Sequence, residues 1–377
     1  MPTDPNRAIG EAVRRLRERA GWTQRELAQK VGFDHHQIVS TIERGERAVK
    51  AAELLRLART FRVEATDLLR GITPEREPFV LWRAEPPGSS HHEEKALFLQ
   101  RCRRYALVER LAEVAEDVAL PEFPISPRTG NFETVETMAE QVRGLLQLGN
   151  IPGPTLRSAL ENTWHIKIFQ DLLDNGSAAT TLGEFGPAIL ENAAEPPKRR
   201  VFSLAHELFH VLTWKTISNL TEEERRAIHS SNEKLANAFA SALLLPRGPV
   251  LEAISQNRAE TLVDFLPVAQ TFNVSLPALL WRLVNLRVLD RRAVEGFLDP
   301  DRWWGTTDPG WHPPVEVERP FPPRYVSLAF SVYLKGRLTI GKLAELLETT
   351  VGMVEKRLVA YGLDLEADAY QAQVLPA

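Results

Sequence analysis

Phe202-Ser203-Leu204-Ala205-His206-Glu207-Leu208-Phe209-His210 has a helical pattern and carries two histidines four residues apart, with a glutamate directly after the first. Residues four apart on a helix lie about 40° apart round the axis. Both imidazoles therefore leave one face, at a spacing that suits a single tetrahedral zinc ion. Glu207 then sits beside the metal without ligating it. From there it can take a proton from a bound water, whose pKa zinc lowers to about 7, and pass it to a leaving amine. One short segment thus encodes a metal, a nucleophile and a base.

The two histidines need a third protein ligand. Downstream, Asn232-Glu233-Lys234-Leu235-Ala236-Asn237-Ala238-Phe239-Ala240 opens a second helix, with Glu233 and Asn237 one turn apart. Glu233 is the expected ligand, and Asn237 the side chain that orients a ligand histidine. Glu222, Glu223, Glu224 and His229 compete for Glu233's place, although the charge run Glu222–Arg226 reads as a solvated helix start. Thr213 and Thr216 stand where an extended H-E-x-x-H-x-x-G-x-x-H would need Gly and His, so that type of site is excluded. No Tyr or His announces itself as donor to a developing oxyanion; His165 and His229 are the histidines left in the region.

Both blocks, with the closing Leu243-Leu244-Leu245-Pro246 and the upstream Pro187-Ala188-Ile189-Leu190-Glu191-Asn192, resemble the ImmA/IrrE group of zinc metallopeptidases. The similarity covers Glu93 to about Phe297. It implies a minimal gluzincin-like α+β fold and endopeptidase activity on a protein, often a helix-turn-helix repressor. It implies zinc on His206, His210 and Glu233, with Glu207 as base. It also implies that the strand at Ala188, Ile189 and Leu190 is the edge on which an extended substrate pairs.

Outward from this centre the chain changes character. Two helical patterns, Glu93–Asp117 and Thr134–Leu148, precede two strand-like runs, Trp164–Ile168 and Pro187–Leu190. Helical segments follow near Val201–Trp214, Asn232–Leu245, Val250–Asn257, Ala259–Phe272 and Pro277–Leu286. Residues 299–324 hold seven prolines together with Trp303, Trp304 and Trp311, a stiff connector whose tryptophans favour packing on a neighbour. Residues 325–377 return to short helices, with Thr339 as an N-cap.

Towards the N-terminus, residues 73–92 are rich in Pro, Gly, Ser and His and read as a linker, with a short strand at Phe79–Trp82. Before it, residues 1–72 form a compact all-helical unit. Trp22-Thr23-Gln24-Arg25-Glu26-Leu27-Ala28 spells an N-cap with a capping box, and Gly32 permits a tight turn before the helix that ends at Ile42-Glu43-Arg44-Gly45. This stretch is similar to the phage-repressor-like XRE family of helix-turn-helix domains, with one residue more than the usual spacing between Gly32 and the Ile-Glu-Arg-Gly block. In that fold the second helix enters the major groove of double-stranded DNA. The resemblance places His35, His36, Gln37, Ser40 and Thr41 at base edges, and Gln24, Arg44, Arg47 and Lys50 near phosphates. Such modules bind palindromic operators as dimers, so a homodimer is expected.

Composition supports this division. The 377 residues carry 46 Lys+Arg against 50 Asp+Glu, net −4, which excludes a generally basic, nucleic-acid-coating protein. Residues 1–71 hold 14 Lys+Arg and 10 Asp+Glu, or +4, leaving −8 for the remainder. The single cysteine, Cys102, excludes a disulfide framework and fits a reducing compartment. No apolar run reaches the roughly 18 residues of a membrane span, and Met1-Pro-Thr-Asp-Pro5 carries no signal-peptide core, so a soluble cytoplasmic protein is expected. The sequence thus reads as a multi-domain chain: an all-α helix-turn-helix domain, an α+β peptidase domain (93–298) and a mainly helical C-terminal region. Two functions are compatible with it. One is a DNA-binding zinc endopeptidase that cleaves a regulatory protein. The other is a transcriptional regulator whose peptidase-like domain senses or binds a ligand without catalysis.

Overall fold

The computed structural model describes residues 5–61, 63, 65–69, 71, 78–83, 90–114, 118–128, 130–174, 176–257, 261–298, 314 and 317–364. The chain forms two compact units: residues 1–78 with 87–103, and residues 79–86 with 104–377.

The first unit begins with α1 (Pro5–Arg19), α2 (Gln24–Val31), α3 (His36–Glu43), α4 (Ala51–Phe61) and α5 (Ala65–Leu69). Thr23 caps α2 in a full capping box with Glu26, and Gly32 ends it at φ +74°, a left-handed turn that a Cβ would strain. α1, α2 and α3 then close over Ile9, Ala12, Val13, Leu27, Val31, Val39 and Ile42. Gly10 is where α1 meets α3: a Cβ there would stand 2.2 Å from the Ile42 carbonyl oxygen. A polar brace fixes the same corner. Arg17 donates to both carboxylate oxygens of buried Glu43 (2.6 and 3.1 Å), and the Gln24 amide donates to Glu43 Oε2 (2.8 Å).

The second unit is built round a four-stranded sheet ordered β1-β3-β4-β2. Its strands are β1 (Val80–Trp82), β2 (Lys167–Asp171), β3 (Ala178–Gly183) and β4 (Gly186–Asn192). β1–β3 and β3–β4 are antiparallel, and β2–β4 is parallel. Preceding β2 are α6 (Ser90–Leu111), which starts in the first unit, α7 (Phe132–Leu145) and α8 (Gly153–Thr163). After β4 come α9 (Pro197–Leu212), α10 (Trp214–Ser218), α11 (Glu222–Leu244), α12 (Arg247–Gln256), α13 (Leu266–Thr271), α14 (Leu276–Asn285) and α15 (Arg291–Phe297). α9 packs on β3, β4, α8 and α11, and every residue from Ser203 to Leu212 is buried. It is the central rod of the core. Arg282 of α14, itself buried, clamps Glu136 of α7 with two hydrogen bonds (2.6 and 2.5 Å) and donates to the Leu245 carbonyl (2.9 Å), holding the end of α11 in place.

The C-terminal helices α16 (Pro323–Leu334), α17 (Ile340–Leu346) and α18 (Val354–Val359) pack onto the same unit. Arg324 bonds Glu109 (2.6 Å), Lys167 pairs with Glu109 (3.0 Å), and Tyr325 donates to the Leu346 carbonyl (3.0 Å). Thr339 caps α17 as expected. Among the described residues no single helix is long and apolar enough to cross a membrane.

Several expectations need correction. The 73–92 linker is interrupted: residues 72–77 and 84–89 lie outside the described residues, but β1 between them joins the sheet, and α6 already begins at Ser90. The prolines and Gly88 precede that helix rather than break it. The run Trp164–Ile168 is displaced, because Trp164 caps α8 and the strand is Lys167–Asp171. α8 and β3 were not foreseen. Of the 299–324 connector, residues 299–313, with all three tryptophans, lie outside the described residues, and α16 already begins at Pro323. Most consequential, β4 is not an edge. Ala188, Ile189 and Leu190 are paired to β3 on one side and to β2 on the other, so this strand has no backbone groups left for a substrate.

Candidate metal centre and nucleic-acid interface

Helical spacing puts His206 and His210 on the face of α9 that meets α11, and α11 brings Glu233 to them. His206 Nε2 lies 3.1 Å from Glu233 Oε2, His210 Nε2 lies 3.3 Å from Glu233 Oε1, and the two Nε2 atoms are 3.2 Å apart. Zinc–nitrogen and zinc–oxygen bonds of about 2.0–2.1 Å would set tetrahedral ligand atoms about 3.3–3.4 Å apart. Among the described residues these are the three whose ligand atoms cluster.

The protonation pattern fits a cation at their centre. His206 Nδ1 is 3.0 Å from Asn237 Oδ1 and donates to it, so Nε2 turns a lone pair towards Glu233. Burial pushes the His206 imidazole towards its neutral form. A neutral nitrogen lone pair cannot donate to a carboxylate, and three converging electron-pair donors are an arrangement that suits a metal ion. His210 Nδ1 meets the Asn232 amide at 3.3 Å. Turned end for end, that amide sets its otherwise unpartnered Oδ1 to accept from His210 Nδ1–H, giving the second ligand its own orienting group.

Glu207 stands beside these ligands at 0% exposure. Its Oε2 accepts from the Thr180 hydroxyl of β3 (2.6 Å), while Oε1 is buried with no hydrogen-bond partner among the described residues. That leaves one oxygen held and one available for a proton. The competing ligands lie elsewhere: Glu222 pairs with Arg226, Glu224 caps α11 through Thr221, and Glu223 and His229 are exposed. His165 sits in a left-handed turn (φ +49°) ahead of β2. Thr180 and Asn232 are the site residues that sequence reasoning missed. Asn232 carried a signal, since it stands directly before Glu233; Thr180 carried none.

In the first unit, α3 buries Val39 and Ile42 and leaves His36 and Gln37 exposed, with Ser40 and Thr41 half-buried beside them; His35 is exposed at the helix start. The five expected base-edge residues thus share one accessible end and face. The expected phosphate contacts divide. Lys50 is exposed, whereas Gln24 is committed to Glu43, Arg44 pairs with Glu46 (2.9 Å) and Arg47 with Glu53 (2.7 Å).

Comparison with known proteins matches both regions. Residues 8–70 fit the family model of a helix-turn-helix domain, and residues 157–284 fit that of a peptidase family's IrrE N-terminal-like domain. The chain therefore joins these two domains. It is 27% identical over 307 residues to the propionyl-CoA carboxylase regulator of Cereibacter sphaeroides, covering 74% of this chain and 65% of that protein's length. The apo form of the competence regulator ComR from Streptococcus vestibularis aligns over 98% of this chain and 97% of that one, at 12% identity and a TM-score of 0.17.

Proposed function

We propose that the chain is a DNA-binding regulator, active as a homodimer on a palindromic operator in the cytoplasm, whose second domain is a zinc-dependent endopeptidase that cuts a regulatory protein of the helix-turn-helix repressor kind. The observation that carries the enzymatic half is Glu207, anchored at Oε2 by Thr180 and unpartnered at Oε1 beside three converging ligand atoms. The regulatory half draws on the α3 face and on the relative's name.

Zinc, when held by His206, His210 and Glu233, supplies Lewis acidity and lowers the pKa of a water to about 7. Glu207 receives the proton at Oε1 and returns it to the leaving amine. Thr180 keeps the carboxylate from rotating away, Asn237 and Asn232 hold the histidine rings, and the surrounding apolar core strengthens each polar contact by excluding water.

Elemental analysis of the purified protein beside His206→Ala and Glu233→Ala should find about one zinc per chain in the wild type and none in either variant. Glu207→Gln should keep its zinc and its DNA affinity but slow cleavage of a co-expressed repressor by about 10²–10⁴-fold. Wild-type protein that stays metal-free after zinc is supplied would sink the assignment. The closure of the site, with His206 and His210 at 0% and 1% exposure, favours a second reading, a regulator whose peptidase-like domain binds a ligand without cutting. On that reading Glu207→Gln changes neither repression nor the integrity of any partner.

A further inference from the structure

The outer edge of β3 runs past the metal centre, and the chain itself fills it. β1 pairs along it in the register Val80↔Thr181, Leu81↔Thr180 and Trp82↔Ala179, and the Arg83 amide donates to the Ala178 carbonyl (3.2 Å). Directly opposed residues of an antiparallel pair point to the same face. Thr180 points at Glu207, so Leu81 stands on the metal side, and alternation puts Phe79 and Arg83 there too. Their contacts agree. Phe79 lies 5.6 Å from the Trp214 ring with the Arg225 guanidinium 4.2 Å over it, and Phe79 and Leu81 pack on Trp214, Ile217 and Ile228 of α10 and α11. Arg83 donates to Ser203 Oγ on α9 (2.9 Å), and Ser203 in turn donates to Glu195 (3.1 Å). Val80 and Trp82 are buried on the other face.

We propose that the outer edge of β3 is the substrate strand of the peptidase and that β1 is a tethered occupant of it. The substrate class is then an extended segment with two large apolar side chains two residues apart and an arginine two residues further on. The apolar pair would enter the Trp214–Ile217–Ile228 cluster and the cation would meet Ser203 and Glu195. The idea rests on the peptidase reading for its chemistry but not for its binding. A tethered strand acts at a high effective concentration, so a free peptide competes poorly until β1 is displaced.

The test uses the full chain and a fluorescent hexapeptide, Pro-Phe-Val-Leu-Trp-Arg, in an anisotropy titration. The Arg83 amide faces β3, so by antiparallel alternation the Leu81 amide does as well, and Leu81→Pro removes a ladder donor. This variant should bind the probe at least tenfold more tightly than wild type, and a probe with Ser in place of its Phe and Leu should not bind. Leu81→Ser keeps the donor and should fall between the two. It also guards against a proline variant that does not fold, which loss of bound zinc would reveal. Equal affinity for all three proteins, or binding by none, overturns the proposal even if the wild type carries zinc and cleaves a repressor. Tight binding to Leu81→Pro without zinc in any variant upholds the strand edge and overturns the peptidase assignment instead.

Discussion

At Glu207 the two oxygens of one carboxylate stand in different surroundings, and the hydroxyl of Thr180 separates them. Thr180→Val keeps the volume but removes a hydrogen bond to a charged group, worth about 1.5–3 kcal/mol. Turnover should fall by roughly 10- to 100-fold with zinc content unchanged, read by single-turnover cleavage and elemental analysis. A second carboxylate carries a pH signature. Burial raises Glu161 to about 7, and the charge of Arg157 only partly offsets it. The folded protein therefore retains a proton that the unfolded chain releases near pH 4.5, the carboxyl's ordinary value. This group's contribution to stability is intact below that pH and is lost as pH rises through 7. Glu161→Gln should match wild type at pH 4 and exceed it by on the order of 2–3 kcal/mol at pH 8, measured by urea unfolding. The pairing of His206 with His210 was legible because a helix fixes their spacing. Thr180 was not, since its bond to Glu207 spans 27 residues and depends on strand register.

Between elements, contact distance decides more than composition. α1 approaches α3 closely enough that Gly10→Ala would place a methyl 2.2 Å from the Ile42 oxygen. The helices must part, at a cost of roughly 1–3 kcal/mol, and α3 tilts with them. Hydrogen exchange of the α3 amides should quicken and operator affinity fall, while zinc content stays at the wild-type value. The capping box of α2 and the left-handed Gly32 were readable from local chemistry alone. The sheet was readable only in part. Ala178-Ala179-Thr180-Thr181 lacks the large branched and aromatic side chains that announce a strand, and its β-structure is imposed by neighbours on both sides. α8 opens with prolines, Pro152 at the N-cap and Pro154 in the first turn, positions where proline is tolerated. β4 carried a clear strand pattern, yet nothing local distinguishes a central strand from an edge.

For the whole molecule, charge is divided: +4 over residues 1–71 and −8 over the rest. Affinity for DNA should therefore fall steeply with salt even though the protein is acidic overall. Lys50 is exposed where Arg44 and Arg47 are engaged in ion pairs. Lys50→Ala should lower the slope of log affinity against log salt by about one per protomer, without altering sequence preference. Family models match a helix-turn-helix domain and an IrrE N-terminal-like domain, but the compact units do not follow the divisions that composition suggested. The polypeptide passes from one compact unit to the other at residues 78/79, 86/87 and 103/104. Neither unit is thus a continuous stretch of gene. A recombination event at the apparent junction near residue 92 would carry β1 away with the DNA-reading half. The other half would inherit an open β-edge, the kind of surface that recruits foreign strands. Such a pair of domains does not shuffle as two cassettes cut at the compositional junction.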